Sequence, residues 1–148
     1  MIKSNIINNH HKSLLYKKTQ IKNLIDFIFD SEKYKDATVS IILSNREHLS
    51  KLKKEYFNLN QYTDVIAFNL EDSGNLIDGE IYISIDDVYE NSKLYSQSFD
   101  DEFKRVLIHG ILHLIGYDDK KDNEIKKMRR LENKYLLNFN KEIIKLKC

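Results

Sequence analysis

The segment from Val106 to Ile115 constrains the fold more than any other stretch of this chain. Apart from His109 and His113, every residue in it is apolar or glycine, and a helix that is apolar nearly all round belongs in the interior of a protein. The two histidines are four residues apart, so on a helix they lie about 40° apart around the axis and one turn along it. We therefore expect a buried central helix that presents two imidazoles on one sector.

The residues after this helix reverse the chain and add acidic groups. Gly116 can adopt the left-handed conformation that ends a helix, and the turn brings Asp118 and Asp119 within reach of the histidine pair. Buried imidazoles need partners because an unpaired buried polar group costs free energy. Two imidazoles and a carboxylate around one metal ion would meet that need. Two hydrogen-bonded core histidines are the alternative.

The nitrogen-rich set of ligands predicts one zinc ion per chain, although nickel, copper or manganese accept the same ligand types. Three protein ligands leave one coordination position open, which is typical of catalytic rather than structural zinc sites. Metalloproteases of the His-Glu-x-x-His type carry a glutamate general base directly after the first histidine. This chain has Gly110 at that position, so the motif disfavours a peptidase of that kind but not a related fold.

Residues 109–118, His-Gly-Ile-Leu-His-Leu-Ile-Gly-Tyr-Asp, resemble the motif of the YbeY family, bacterial metal-dependent endoribonucleases of ribosomal RNA maturation. Two upstream segments, 63–68 (Thr-Asp-Val-Ile-Ala-Phe) and 79–84 (Gly-Glu-Ile-Tyr-Ile-Ser), resemble strand motifs of the same family. The resemblance extends from about Leu52 to Leu137. In the family a third histidine ends the first motif, and the matching position in this chain is Asp119.

The resemblance implies that His109, His113 and Asp119 hold the metal ion. Asp118 either orients a ligand or water from outside the coordination sphere or stabilises the turn. The family also has an arginine, thought to contribute to catalysis or phosphate binding, where this chain has Phe57. The role of that arginine therefore cannot be assigned to any residue of this chain, and no general base is assigned.

Composition limits the compartment and the partners that we expect. A chain of 148 residues, 41% of them hydrophobic, predicts a single domain over residues 1–148. Its apolar runs are too short to span a bilayer, and its first residues form no signal-peptide core. The only cysteine is Cys148, so we expect no disulfide framework, a cytoplasmic location and no membrane partner. The formal net charge of +1 gives no global attraction to nucleic acid, so any RNA must bind at local patches.

The residue pattern predicts an α+β fold, with a small mixed sheet of about four strands packed by about five helices and a zincin-like metal helix across it. Strands are expected at residues 2–7, 38–43, 65–68 and 81–85. Helices are expected at 17–33, after a capping box formed by Ser44 and Glu47, at 86–95, after Ser98 and from Asp122. Residues 69–79 are expected to form an exposed loop, and His10 and His11 to lie on the surface.

The last predicted helix has two distinct faces. Its apolar side carries Ile125, Met128, Leu131, Tyr135 and Phe139. Its opposite side is basic and is either a solvated surface or a phosphate-binding face; it carries Lys126, Lys127, Arg130, Lys134 and Lys141.

By resemblance, the chain is expected to be an enzyme, a zinc-dependent endoribonuclease specific for single strands. It would act in 3′-end maturation of small-subunit ribosomal RNA and in ribosome quality control, with ribosomal RNA and the small subunit as partners and no DNA. One alternative is a non-catalytic, metal-containing ribosome-assembly factor, which the phenylalanine at position 57 favours. A zincin-type peptide hydrolase is the third hypothesis, and Gly110 argues against it.

Overall fold

The computed structural model describes residues 1–10, 14–59, 63–71 and 76–146. In chain order the elements are β1 (Ile2–Asn8), β2 (Leu14–Tyr16), α1 (Lys18–Ser31), β3 (Ala37–Ser44), α2 (Arg46–Phe57), β4 (Val65–Asn69), β5 (Asp78–Ser84), α3 (Ile85–Leu94), α4 (Phe99–Ile115), α5 (Asp122–Leu137) and β6 (Ile144–Leu146). None of the helices in these ranges is long and apolar enough to cross a bilayer.

One mixed sheet contains four of the strands, in the order β1-β3-β5-β4. The pairs β1–β3 and β3–β5 are parallel, and β4 pairs antiparallel with β5 at one edge. This sheet and the five helices of the described residues confirm the predicted α+β fold. Strands β2 and β6, which are not among the predicted strands, pair antiparallel in a separate two-stranded sheet.

The central helix α4 lies directly against the sheet because two glycines leave no side chain between them. A Cβ added to Gly79 of β5 would lie 2.5 Å from Leu114 Cδ1, and one added to Gly110 of α4 would lie 2.9 Å from Ile81 Cγ2. Glycine in a strand often marks such a close approach. The predicted loop over residues 69–79 is therefore wrong at both ends, since β4 includes Asn69 and Gly79 is a buried strand residue.

The capping box predicted at the start of α2 is also wrong. Ser44 is the last residue of β3, and its hydroxyl lies 2.6 Å from His48 Nδ1. The N-cap is Asn45, whose side-chain oxygen accepts a hydrogen bond from the His48 backbone N–H at 2.9 Å. Asparagine is as good an N-cap as serine, and the serine one residue earlier completes the strand ladder instead.

Two further local predictions need correction. The side chain of His10 is only 3% exposed, and its Nε2 lies 3.1 Å from Asp86 Oδ1, so this histidine is not a surface residue. His11 lies outside the described residues. Ile85 begins α3 rather than ending β5, because Ser84 serves as the N-cap of that helix.

The two faces of α5 are only partly as predicted. Met128 and Tyr135 are buried, but Ile125 is 44% exposed. The basic residues of the opposite face are all exposed, and Lys141 lies beyond the end of the helix.

Candidate metal centre

Helix α4 carries both histidines and ends where the sequence predicts. Its N-cap is Ser98, whose hydroxyl accepts a hydrogen bond from the Asp101 N–H at 3.0 Å. Its C-cap is Gly116 in the left-handed region, with φ 119°. The N–H groups of Gly116 and Tyr117 both donate to the carbonyl oxygen of Leu112, at 3.1 and 3.0 Å. These bonds satisfy the open end of the helix and turn the chain back toward the histidines.

The turn brings Asp119 to the two imidazoles. The Nε2 atoms of His109 and His113 are 2.9 Å apart, and they lie 3.3 Å and 3.6 Å respectively from Asp119 Oδ2. Tetrahedral ligation at about 2.0–2.1 Å separates ligand atoms by roughly 3.3–3.4 Å, and the three observed distances bracket that value. The three predicted residues therefore form a group that could hold a metal ion. Asp118 is exposed and is not part of that group.

The orientation of His109 is set by a residue that the sequence analysis missed. Its Nδ1 lies 2.7 Å from Glu132 Oε2 on α5, and because a carboxylate accepts, Nδ1–H is the donor. This arrangement leaves the lone pair of Nε2 free for a metal ion. Arg105 in turn donates to Glu132 Oε1 at 3.0 Å and to Asn133 Oδ1 at 3.0 Å. Glu132 is 5% exposed.

The two histidines differ in their affinity for protons. Burial lowers the pKa of His109, but the hydrogen bond and the charge of Glu132, with Asp119 and Asp64 nearby, outweigh burial and raise that pKa above its usual value. Burial also lowers the pKa of His113, and repulsion from His109 lowers it further. His113 is therefore the more readily neutral of the pair, and neutral imidazole is the form that binds metals.

The turn that carries Asp119 is tied to a distant helix. The hydroxyl of Tyr117 donates to Glu32 Oε1 at 2.7 Å, and Tyr135 of α5 donates to the other oxygen of the same carboxylate. Glu32 is the C-cap residue of α1. The hydrogen bond to Glu32, followed by burial, raises the pKa of Tyr117 to about 12. Asp119 itself is 38% exposed in its side chain, and this tether holds the turn two residues before it.

A cleft of about 570 Å³ lies beside the metal-binding group and includes two of its residues, His109 and Asp119. Two acidic side chains, one buried and one partly buried, line it as well. Asp64 precedes β4 and accepts a hydrogen bond from Asn91 Nδ2 at 3.4 Å, and burial raises its pKa. Burial likewise raises the pKa of Glu102, which is 5% exposed. Volumes of this size are ordinary for small-ligand sites.

Phe57, where the family has its arginine, is not among the described residues that line this cleft. It is 44% exposed at the end of α2 and stacks on Phe68 with ring centroids 5.7 Å apart.

A signal for Glu132 was present in the sequence. It lies four residues after Met128 and three before Tyr135, on the face of α5 that the apolar pattern assigns to the core. An acid on a buried face has to be paired. No local rule, however, identifies a histidine on another helix as the partner.

Comparison with known proteins identifies the relatives of this chain. Residues 5–140 match the family model described as Endoribonuclease YbeY. A protein of that name from Christiangramia forsetii is 39% identical over 87% of this chain and 90% of its own length. Another from Karelsulcia muelleri is 38% identical over 88% and 92%. The solution structure of TM1509 from Thermotoga maritima covers 92% of this chain and 87% of its own, at 30% identity and a TM-score of 0.62. The fold, the order of the motifs and these matches together show that the chain belongs to the endoribonuclease YbeY family.

Proposed function

We propose that this protein is a metal-dependent endoribonuclease that cleaves single-stranded RNA. The observation that carries the proposal is the triangle of His109, His113 and Asp119 at the side of an open cleft, in a chain of this family. The proposed substrate is small-subunit ribosomal RNA at its 3′ end, and the proposed wider role is ribosome quality control in the cytoplasm. The ribosomal small subunit is the partner that this role requires.

In this proposal His109, His113 and Asp119 hold one zinc ion. Two imidazoles and one carboxylate suit zinc, and the spacing of the three ligand atoms fits tetrahedral ligation. A bound divalent ion would polarise a phosphate oxygen or lower the pKa of water at the scissile bond.

The protein's own groups supply position and proton transfer. Glu132 keeps the Nδ1 proton of His109 in place, so that Nε2 stays directed at the metal site. Arg129 is exposed along the cleft and can pair with a phosphate. Asp64 lines the same cleft, and burial raises its pKa, which is the direction that suits a group donating a proton to the leaving oxygen.

The structure weighs against the peptidase hypothesis. An added Cβ at Gly110 would lie 2.9 Å from Ile81 Cγ2 and 3.3 Å from Val65 Cγ2. A glutamate base at that position would therefore collide with the sheet. The assembly-factor hypothesis stays the alternative, because this chain has Phe57 where the family has its arginine.

Cleavage of a labelled single-stranded ribosomal RNA fragment, with and without a chelator, tests the proposal. We expect cleavage that the chelator abolishes and that added zinc restores. Elemental analysis of the same protein should give one zinc per chain. RNA binding without cleavage would favour the assembly factor, and turnover of a peptide with no turnover of RNA would favour the peptidase.

A further inference from the structure

The cleft continues well beyond the metal-binding group. Helix α4 contributes Glu102, Arg105, Val106 and His109 to its lining, and their spacing of three and four residues places them on one stripe of the helix. The helix rises about 10 Å from the first of these residues to the last. The metal-binding group lies at the C-terminal end of the stripe, so the end at Glu102 is unused by the function proposed above.

An exposed aromatic ring lies in this unused part of the cleft. Tyr95, the C-cap residue of α3, lines the cleft and is 60% exposed. Ile125 of α5 lines it too and is 44% exposed. A flat ring and an apolar side chain left open to water in a cleft offer a stacking surface for a planar ligand.

A carboxylate with no hydrogen-bond partner among the described residues opens onto the same cleft. Glu102 is 5% exposed, and no hydrogen bond or ion pair joins its side chain to any other part of the chain that the structure describes, although the charges of Arg105 and Arg129 act on it. Burying a carboxylate without a partner is costly. An ionised carboxylate only accepts hydrogen bonds, so the ligand that relieves this cost must donate one. A phosphate cannot do so and would be repelled.

We propose that Tyr95 and Glu102 form a subsite for one unpaired base that carries an exocyclic amino group. The base stacks on the Tyr95 ring, and its amino group donates to the Glu102 carboxylate. Cytosine and adenine present such a donor, whereas uracil presents a carbonyl acceptor at the matching position. Arg129, exposed along the same cleft, pairs with an adjacent phosphate. This inference rests on the proposed action on single-stranded RNA and adds a base preference to it.

Binding of short labelled oligocytidylate and oligouridylate tests the subsite, followed by fluorescence anisotropy at about pH 8, well above the usual pKa of a carboxyl group. The wild-type protein should bind oligocytidylate about tenfold more tightly, as expected for one hydrogen bond to a charged group. Glu102→Gln should remove this preference, because an amide both donates and accepts. The comparison of the two oligonucleotides on the wild-type protein needs no variant to fold.

The stacking partner is tested separately. Tyr95→Ala should weaken the binding of both oligonucleotides about tenfold, and Tyr95→Phe should restore it, since the ring and not the hydroxyl makes the contact. Tyr56→Ala is the matched control, because Tyr56 is 63% exposed but does not line the cleft. Metal content, measured in parallel, should stay the same in all of these variants.

The inference is overturned if the wild-type protein binds both oligonucleotides equally or binds neither. It is also overturned if the preference survives in Glu102→Gln, or if Tyr95→Ala weakens binding no more than Tyr56→Ala does. A wild-type protein that binds with the expected preference but does not cleave would instead remove the proposed endoribonuclease activity. Cleavage without any preference between the two bases would keep the activity and remove the subsite.

Discussion

The candidate metal centre has a helix side and a turn side, and the two sides are held in different ways. His109 and His113 project from a buried helix that two glycines press against the sheet, and Glu132 fixes the ring of His109. Asp119 lies on the turn after the helix, with its side chain 38% exposed. The imidazole pair is therefore positioned by the core, whereas the carboxylate lies on a turn that is held by the cap of α4 and by a tether to another helix. Loss of a histidine should abolish metal binding, loss of Asp119 should weaken it strongly, and loss of a residue that supports either side should weaken it less.

The largest loss of bound metal is expected from His113→Ala. Two remaining ligands rarely hold zinc at an open site, so stoichiometric metal and any chelator-sensitive nuclease activity should be lost. Elemental analysis measures the metal content, and cleavage of a labelled RNA measures the nuclease activity. His48→Ala is the control and should keep its metal, because His48 contacts Ser44 and belongs neither to the metal-binding group nor to the described lining of the cleft. Full metal occupancy in His113→Ala would show that the ligand set is wrong.

The second largest loss of metal affinity is expected when Asp119 is replaced. Asp119→Ala should lose more metal affinity than the roughly 10–100-fold that a change outside the coordination sphere costs, and Asp119→His should restore binding, since nitrogen and oxygen bind zinc at similar distances. Asp118→Ala should largely keep its metal. Zinc affinity, measured by competition with a chromophoric chelator, ranks the three variants. The reverse order of the two alanine variants would make Asp118 the ligand.

Glu132→Gln should weaken zinc binding about 10–100-fold at alkaline pH, because the ligand basicity of His109 falls. The pH dependence sharpens this prediction. Glu132 raises the pKa of His109, so protons compete with the metal from a higher pH in the wild-type protein than in the variant. The gap in affinity should therefore narrow as the pH falls. A gap that stays constant between alkaline and acidic pH would remove the role assigned to Glu132.

The smallest loss of metal affinity is expected from Tyr117→Phe, which removes the hydrogen bond between the turn and Glu32. One hydrogen bond to a charged group is worth about 1.5–3 kcal/mol, but Glu32 keeps its bond to Tyr135, so only part of this should appear as lost zinc affinity. We expect a loss of several-fold, smaller than for Glu132→Gln, with helix content unchanged by circular dichroism. A loss as large as that of Glu132→Gln would mean that the turn side depends on its supporting residue as much as the helix side does.

The parts that the sequence predicted are those set by local patterns. The apolar run around His109 and His113 and the glycine stop at 116 identify α4 and its end, because helix periodicity and glycine conformation act over a few residues. Gly79 was assigned to a loop because glycine is common in turns, but here it allows α4 to approach the sheet. The close contact between α4 and the sheet, which requires a glycine at this position, exists only in the folded protein.

The partners of the site residues could not be read from the sequence for the same reason. Glu132 lies 23 residues beyond His109, and Glu32 lies 85 residues before Tyr117. Side-chain pairs at such separations follow from the packing of helices and have no periodic signal. The strands β2 and β6 have three residues each, which is too short for an alternating pattern.

The position of Glu132 and Tyr135 on α5 has a consequence for the order of events during synthesis. All three proposed ligands leave the ribosome before either of these residues does, so a nascent chain that ends near residue 120 carries the whole ligand set. It lacks the carboxylate that orients His109 and the second tyrosine that fixes Glu32. Such a chain has the donor atoms but lacks two of the contacts that hold them in place. Metal affinity should therefore rise as α5 docks, and a zinc-sensitive probe would report that docking in a refolding reaction.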